Sequence, residues 1–263
     1  MFKLGIIGKG FVGSAVSNGF DKNVKQFIVD PKVNNNTIKD LVKFSPAITF
    51  VCVPTPIADD GSCDTSIAND VLHNLHKQEY KGVVVIKSTI IPDYLHEFKR
   101  NFDLKIVYNP EFLTEANADE DFKNPPFQVF GGKWRDCEVV EKAYLRHSSV
   151  RIVPTFKVDL TTASLLKYTI NSWLATKVVF FNELYKLHQS GSSAVPWEQF
   201  TDMLSRDPRI GNSHMQVPGP DGQLGFGGHC FPKDTQALIH YADSKNLDLS
   251  VLKKAVKTNS RIR

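Results

Sequence analysis

Lys3-Leu4-Gly5-Ile6-Ile7-Gly8-Lys9-Gly10-Phe11-Val12-Gly13 is the stretch that decides the fold. Its first part, up to Ile7, predicts a short buried strand, and residues 14–20 then have the pattern of a helix. A G-x-G-x-x-G motif indicates dinucleotide binding when it lies between a strand and a helix, as this motif does. We therefore predict a dinucleotide site here. The alternative is a glycine-rich turn that binds nothing.

An aspartate at the end of the next strand indicates which dinucleotide binds. Residues 26–29 predict that strand, and Asp30 follows it at close to the spacing of about 20 residues expected after the glycines. A carboxylate there would accept hydrogen bonds from an adenosine ribose and repel a 2′-phosphate, which favours NAD over NADP. Lys32 lies close by and leaves NADP open, and an Asp that merely ends a strand is the alternative.

Strands and helices alternate through the rest of the N-terminal half, which predicts a doubly wound parallel sheet. Further strands are expected at residues 47–53, 83–86, 105–108, 127–132 and 149–153. Ligands bind at the carboxyl ends of such strands. The polar residues just beyond strand ends, for which turn and capping roles are equally open, are Thr55, Thr89, Asn109, Glu111 and Glu115. The predicted class is α/β, with an NAD-binding Rossmann domain over residues 1–155.

Composition excludes several classes of protein. The chain has 263 residues, 41% hydrophobic and 23% charged, which is ordinary for a soluble globular protein, and its net charge of +4 is too small to argue for nucleic acid. Four cysteines without a C-x-x-C pair argue against a zinc ribbon and a disulfide framework. The sequence has no bilayer-length apolar run and no signal-peptide pattern at its N-terminus. We expect a cytoplasmic protein without a metal, a nucleic-acid partner or a membrane partner.

The pattern becomes helical after Pro154, which predicts a helical domain over residues 156–263. Residues 159–188 predict one long helix or two joined ones, and shorter helices are expected at residues 197–204 and 235–245. Lys167 and Asn171 are spaced i, i+4 and therefore share one face of the long helix. Taken alone, they are better explained as surface residues.

A glycine-rich stretch near the C-terminal end carries one cysteine: Gly225-Phe226-Gly227-Gly228-His229-Cys230-Phe231-Pro232-Lys233-Asp234. Glycine lets other groups approach the backbone closely, and Pro232 fits the first turn of a helix. Cys230 would then lie at a helix N-terminus, where the dipole and a neighbouring Lys lower the pKa of a thiol. This is a setting for a nucleophilic thiolate. The alternative is a loop with a buried, inert cysteine.

Together these motifs resemble those of the nucleotide-sugar (UDP-glucose/GDP-mannose) 6-dehydrogenase family. They occur in family order over nearly the whole chain, at residues 8–13, 53–56, 88–89, 109–115, 167 and 171, 207–211, and 225–234. The Asn-Pro-Glu-Phe-Leu segment at residues 109–113 and the cysteine stretch are the most diagnostic.

The resemblance implies a two-step oxidation of the C6 alcohol of a UDP-glucose-like nucleotide sugar to the uronic acid, with two NAD per sugar. Cys230 matches the family nucleophile, which forms a thiohemiacetal and then a thioester. Lys167 matches the lysine that stabilises negative charge on the substrate oxygen, and Asn171 would assist by hydrogen bonding. Asp234 and Thr89 match residues that position the hydrolytic water and relay protons.

Binding residues and a partner also follow from the resemblance. Glu115 matches a hydrolytic base close to the nicotinamide, and Arg209 an arginine that reaches the neighbouring subunit's substrate in family dimers. A homodimer packed through the long helix is expected. The implied NAD contacts are Gly8, Gly10, Phe11, Val12, Gly13, Asp30, Lys32, Val53, Pro54, Thr55, Thr89, Glu115 and Lys233. The implied sugar contacts are Glu111, Phe112, Leu113, Glu115, Lys167, Asn171, Arg209, Phe226 and Gly227.

Some features depart from the family pattern. Thr114, Ala116 and His229 replace the more usual Arg, Gly, and Ser or Tyr, which puts the choice of sugar in doubt more than the reaction. Family members also continue into a second Rossmann-like domain, where this sequence stops. One alternative is therefore a non-catalytic or half-enzyme NAD-binding module that needs a partner chain for that domain. A single-step β-hydroxyacid dehydrogenase ranks last, because it has no need of Cys230.

Overall fold

A computed structural model describes residues 1–20, 23–114, 117–191 and 193–263, and the chain divides into two compact units. The first unit comprises Met1–Ala58 and Cys63–Lys167, and the second comprises Asp59–Ser62 and Tyr168–Arg263. The predicted fold class, a Rossmann-type sheet followed by helices built on one long helix, is confirmed. The domain boundary predicted between residues 155 and 156 stays a prediction.

The first unit is built on a sheet with the strand order β2-β1-β3-β4-β5-β6-β7. Its strands are β1 (Phe2–Ile7), β2 (Val24–Val29), β3 (Ile48–Val51), β4 (Val83–Ile86), β5 (Lys105–Tyr108), β6 (Gln128–Gly132) and β7 (Thr155–Val158). Its own helices are α1 (Phe11–Gly19), α2 (Ile38–Phe44), α3 (Ser66–Lys77), α4 (Pro92–Asn101), α5 (Ala118–Lys123) and α6 (Trp134–His147). Local signals begin several of them: a capping box at Thr37 and Asp40 starts α2, and Pro92 occupies the first turn of α4.

Alternate residues of the central strands enter two different cores, one on each face of the sheet. On β3, Ile48 and Phe50 belong to one hydrophobic cluster, whereas Val51 belongs to the other. On β4, Val83 and Val85 are in the first of these clusters and Val84 and Ile86 in the second. A sheet buried on both faces explains why these strands read as continuous apolar runs in the sequence.

The sheet reverses its winding beside β1, which pairs with β2 on one side and with β3 on the other. Both pairs are parallel, so the loops that follow β1 and β3 leave the same edge of the sheet side by side. Ligands of open α/β sheets bind at such a switch point. The glycine motif follows β1 directly and therefore lies at this crevice.

Two details of the predicted sheet are wrong. First, β5 and β6 pair antiparallel, so the sheet is not parallel throughout. Second, the described residues 149–153 form no strand; the last strand is β7, four residues long, beginning at Thr155. The β-branched run suggested a strand, but the amides of Ser149 and Arg151 donate to carbonyls of Gly19 and Lys123 instead of to a neighbouring strand.

The second unit is helical. The helix α7 (Leu160–Ser190) begins in the first unit and continues into the second, where α8 (Trp197–Ser205), α9 (Phe231–Ser244) and α10 (Ser250–Ile262) follow. Phe181 of α7 packs with Trp197 of α8 and with Met215 and Val217 of the following loop. Residues 159–188 therefore hold one helix and not two, and α9 begins four positions earlier than residue 235, the start predicted from the sequence. Among the described helices, none is both long and apolar enough to span a membrane.

Candidate active site

The glycine loop after β1 is closed on its sheet side and open on the other. Gly8 has a φ of 90°, and a Cβ at this position would lie 2.6 Å from the carbonyl oxygen of Cys52. A Cβ at Gly13 would lie 1.9 Å from the carbonyl oxygen of Gly8, so α1 can approach the loop only with glycine there. Gly10, in contrast, has no atom within 4 Å of the position of a Cβ. The helix behind it starts without a side-chain cap, so its first amides remain available to a pyrophosphate.

Asp30 is held beside this loop. Its carboxylate accepts a hydrogen bond from the backbone amide of Lys9 at 2.6 Å and another from that of Lys32 at 2.8 Å. The aspartate that the sequence singled out for the ribose is therefore tied to the loop that it singled out for the pyrophosphate. The glycine loop and Asp30 therefore fit the adenosine half of a dinucleotide. Lys32, which the sequence also singled out for the cofactor, is an exposed residue.

The ends of β3 and β4 are tied together next to the glycine loop. The Thr55 hydroxyl donates to the carbonyl of Thr89 at 3.0 Å, and the Ser88 hydroxyl donates to the carbonyl of Val53 at 2.6 Å. Thr55 and Thr89 are both buried. The predicted cofactor residues of the two strand ends, Val53 to Thr55 and Thr89, thus form one hydrogen-bonded wall.

Lys167 is buried, so the surface role that its spacing first suggested is wrong. It is 3% exposed, and its ammonium donates to the Glu111 carbonyl at 2.6 Å and to Glu111 Oε1 at 3.2 Å. The other carboxylate oxygen of Glu111 accepts from the amide of Leu113 at 2.6 Å, and the ammonium lies 5.3 Å from the centre of the Phe112 ring. The segment that resembles a sugar-binding segment is therefore organised around one lysine.

Lys87 is a buried lysine to which the sequence led us to assign no role. It is 4% exposed, and its ammonium donates to Asn109 Oδ1 at 3.1 Å. The hydroxyl of Tyr144 donates to the same oxygen at 2.8 Å. Desolvation by burial lowers the pKa of Lys87 to about 8, although Cys52 and Glu111 raise this pKa and offset part of the effect. A lysine directly after the buried run 83–86 is the signal that could have identified it.

A cleft in the first unit is lined by Lys87 and by Glu111, the partner of Lys167. It is lined by Lys87, residues 110–114 and residues 121–128 with the exception of Lys123. Its walls therefore include Phe112 and Leu113, two of the predicted sugar contacts. Glu115, predicted as a base and as a cofactor and substrate contact, lies outside the described residues.

In the second unit, Cys230 is the residue that immediately precedes α9, and Pro232 lies in the first turn of that helix. Asp234 is 1% exposed, and its Oδ2 accepts from the amide of Asn171 at 2.6 Å. Its Oδ1 accepts from the ammonium of Lys233. Cys230 is half-buried and not part of a disulfide, and it lies one helical turn before Asp234, whose amide donates to the Cys230 carbonyl at 2.8 Å.

The remaining predicted substrate residues of the second unit differ in exposure. Arg209 is exposed, and its guanidinium binds the carboxylate of Asp207 at 2.5 Å and 2.9 Å. Phe226 is buried against Ala175 and Val179 of α7. No group of His, Cys, Asp and Glu side chains that could hold a metal ion occurs within the described parts of the chain.

Comparison with known proteins finds two family models along the chain. The model of the NAD binding domain of the UDP-glucose/GDP-mannose dehydrogenase family matches residues 17–147, and that of the central domain of the same family matches residues 161–261. Together the two matches cover most of the described sheet and the helices that follow it.

Individual relatives agree with these matches. UDP-glucose 6-dehydrogenase of Rickettsia felis is 34% identical over 221 residues, which are 81% of this chain and 47% of the relative. The enzyme of the same name from Rickettsia conorii is 31% identical over 92% of this chain and 55% of the relative. A UDP-glucose dehydrogenase structure from Pyrobaculum islandicum superposes with a TM-score of 0.84 at 26% identity, covering 99% of this chain and 68% of that one. The chain spans about half the length of the curated relatives it matches.

Proposed function

Because the chain belongs to the UDP-glucose/GDP-mannose dehydrogenase family, we propose that it oxidises the C6 alcohol of a nucleotide sugar to the carboxylate with NAD. The observation that carries this proposal is the combination of a thiol at the start of α9 with the buried Asn171–Asp234 pair behind it. A dehydrogenase that stops at the aldehyde or ketone needs a base and an electrostatic stabiliser but no thiol.

The first oxidation converts the C6 alcohol to an aldehyde. NAD, held by the glycine loop and Asp30, would supply the acceptor for the hydride from C6, and the hydroxyl proton would leave to a base. Lys167 is the group that would stabilise the negative charge developing on the C6 oxygen, because its ammonium is buried and electrostatic interactions are strong away from water. Its present acceptors, the carbonyl and carboxylate of Glu111, hold it in place for that role.

The second oxidation needs a covalent adduct, because an aldehyde carbon has to become tetrahedral before it can release another hydride. The Cys230 thiolate adds to the aldehyde carbon and forms a thiohemiacetal. Removal of a hydride from this adduct, for which a second NAD would be the acceptor, would leave a thioester on Cys230. Water then adds to the thioester, the carbon–sulfur bond breaks, and the products are the uronic acid and the regenerated Cys230 thiol.

The hydrolysis step is where Asp234 acts in this scheme. Its carboxylate is fixed by the Asn171 amide and by the Lys233 ammonium, so it can orient a water or pass on a proton without moving. Thr89 and Glu115 are proposed for the proton relay and for the hydrolytic base by their match to family residues. Lys233 is proposed to contact the cofactor on the same ground.

We also propose that the protein is a homodimer through α7. Trp173, Phe180 and Leu187 recur every seven residues along this helix and are exposed by 62%, 55% and 67%. Large apolar side chains at that spacing form one stripe on a helix, and a stripe of this kind is buried in a helix pair. Arg209, exposed and held by Asp207, would then be available to the partner's substrate.

The experiment is to incubate the purified protein with UDP-glucose and NAD and to count the NADH formed per sugar. Two NADH together with the uronic acid are expected. One NADH with an accumulating aldehyde would indicate a single-step dehydrogenase. NAD binding without NADH formation would favour the alternative, a module that needs a partner chain.

A further inference from the structure

Asn259 of α10 binds the backbone of the loop that leads to Cys230. Its Oδ1 accepts a hydrogen bond from the amide of Phe226 at 2.7 Å, and its Nδ2 donates to the carbonyl of the same residue at 2.9 Å. Asn259 is 9% exposed, although it lies on a helix whose other buried residues are Leu252 and Ala255. A carboxamide at an otherwise apolar helix position is costly to bury unless both of its polar atoms are satisfied, as they are here.

Further side chains hold the same loop. The Oδ1 of Asn182 on α7 accepts a hydrogen bond from the amide of Gly225 at 3.0 Å, and the guanidinium of Arg263 donates to the Asp221 carboxylate at 2.6 Å. The fit is tight: a Cβ at Gly225 would lie 2.4 Å from Asn259 Oδ1, and one at Gly227 would lie 2.1 Å from the Arg263 guanidinium. Glycine is therefore favoured at Gly225, which also has a φ of 71°, whereas a larger residue at Gly227 would require the flexible Arg263 side chain to move.

The bonds to Phe226 act on the position of Cys230. Phe226 lies just before Gly227, Gly228 and His229, and Gly228 has a φ of 72°, a conformation that glycine adopts at little cost. Glycines restrict the chain weakly, so the path to Cys230 is defined by what fixes its two ends. One end is α9, and the other is Phe226.

We propose that Asn259 is a positioning residue for the Cys230 thiol, acting through Phe226; this inference rests on the proposed function. Asparagine suits this task because one carboxamide can bond both the N–H and the C=O of a single residue. Aspartate has the same shape but no donor, so it would place an oxygen against the Phe226 carbonyl. Alanine removes both bonds without adding a charge.

The consequence should be specific to the second oxidation, because the first does not need the thiol. In Asn259→Asp and Asn259→Ala we expect acid formation to slow at least tenfold, while NAD affinity stays within about twofold and the NADH count falls from two towards one per sugar. Ser260→Ala is the control, because Ser260 is the exposed neighbour of Asn259 on α10. It should behave as wild type.

Hydrogen exchange gives a second readout that does not depend on activity. Amides of residues 225–230 should exchange faster in both Asn259 variants than in wild type and in Ser260→Ala. Wild-type acid formation in both variants, or an equal loss of both oxidations, would overturn the inference. If the wild-type protein forms no NADH at all, the proposed function fails, and unchanged exchange at residues 225–230 in the variants would then overturn the positioning role independently.

Discussion

Replacing Lys87 by Met should change how the stability of the first unit depends on pH. The pKa of Lys87 is about 8 in the folded protein against 10.5 for a free lysine, because burial removes water from the ammonium. Below about pH 8 both states carry the proton and the cost of burying the charge is fully present. Between the two pKa values the unfolded chain binds more protons than the folded one, so the free energy of unfolding rises with pH.

The size of this effect follows from the two pKa values. From about pH 7 to about pH 9, linkage gives a gain of about 1 kcal/mol in the free energy of unfolding from Lys87 alone. Cys52 works in the other direction, because burial raises the pKa of its thiol from 9.0 to about 12 and the unfolded chain then loses its proton first. Cys52 is present in wild type and variant alike, so its contribution largely cancels in their difference.

Urea unfolding at several pH values in this window, followed by circular dichroism, measures the difference. In Lys87→Met the gain of about 1 kcal/mol should be missing. Tyr144→Phe is the matched control, because it removes the other donor to Asn109 Oδ1 and leaves the lysine. It should cost about 1 kcal/mol at every pH, as expected for one buried hydrogen bond, and keep the wild-type slope. Parallel profiles for wild type and Lys87→Met would refute the lowered pKa.

Three further predictions concern the proposed function. Cys230→Ser should lower the rate of acid formation by about 10³-fold, equivalent to about 4 kcal/mol of barrier, while NAD binding persists. The control is Cys137→Ala, which removes a buried thiol from α6. Equal rates for Cys230→Ser and wild type would exclude Cys230 as the nucleophile. Calorimetry should show NAD binding more tightly than NADP, and the preference should weaken in Asp30→Ala; equal affinities in wild type would remove the ribose role of Asp30. Sedimentation should give a dimer at micromolar concentration that Trp173→Glu dissociates, because a charge in an apolar helix interface is costly; a monomeric wild type would remove the support for Arg209 acting in a partner's site.

The parts of the molecule that the sequence predicted well are those set by short-range patterns. The strand, glycine turn and helix of residues 3–20 follow one another within a few positions, and each residue type has a local reason to be there. The position of Cys230 before α9 is similar, because Pro232 marks the first turn of that helix. Such features need no knowledge of what packs against them.

Features that depend on distant partners were missed. The antiparallel pairing of β5 with β6 has no local signature, because an apolar strand reads the same in either direction. In the sequence, Asn259 does not differ from other polar residues of a helix, because its hydrogen-bond partner Phe226 lies more than thirty positions earlier. Lys167 was first read as a surface residue for the same reason, since its acceptors come from Glu111 in another part of the chain.

The charges inside the first unit connect its stability to the proposed chemistry. Lys87 and Lys167 are both buried there, and Glu111 is the one carboxylate among the described residues that forms an ion pair with either of them. Burial is the main cause of the lowered pKa of Lys87, and the positive charge of Lys167 lowers that pKa by a smaller amount. Two buried lysines with one paired carboxylate do not stabilise the fold, since apolar side chains of similar volume would cost less free energy to bury. An oxygen that becomes negative during hydride transfer does gain from them, because fixed positive charge in a dry site stabilises the transition state more than the neutral alcohol. The electrostatic stabilisation proposed for Lys167 in the first oxidation would therefore come with a cost in stability, and the Lys87→Met experiment measures the part of that cost that is due to Lys87.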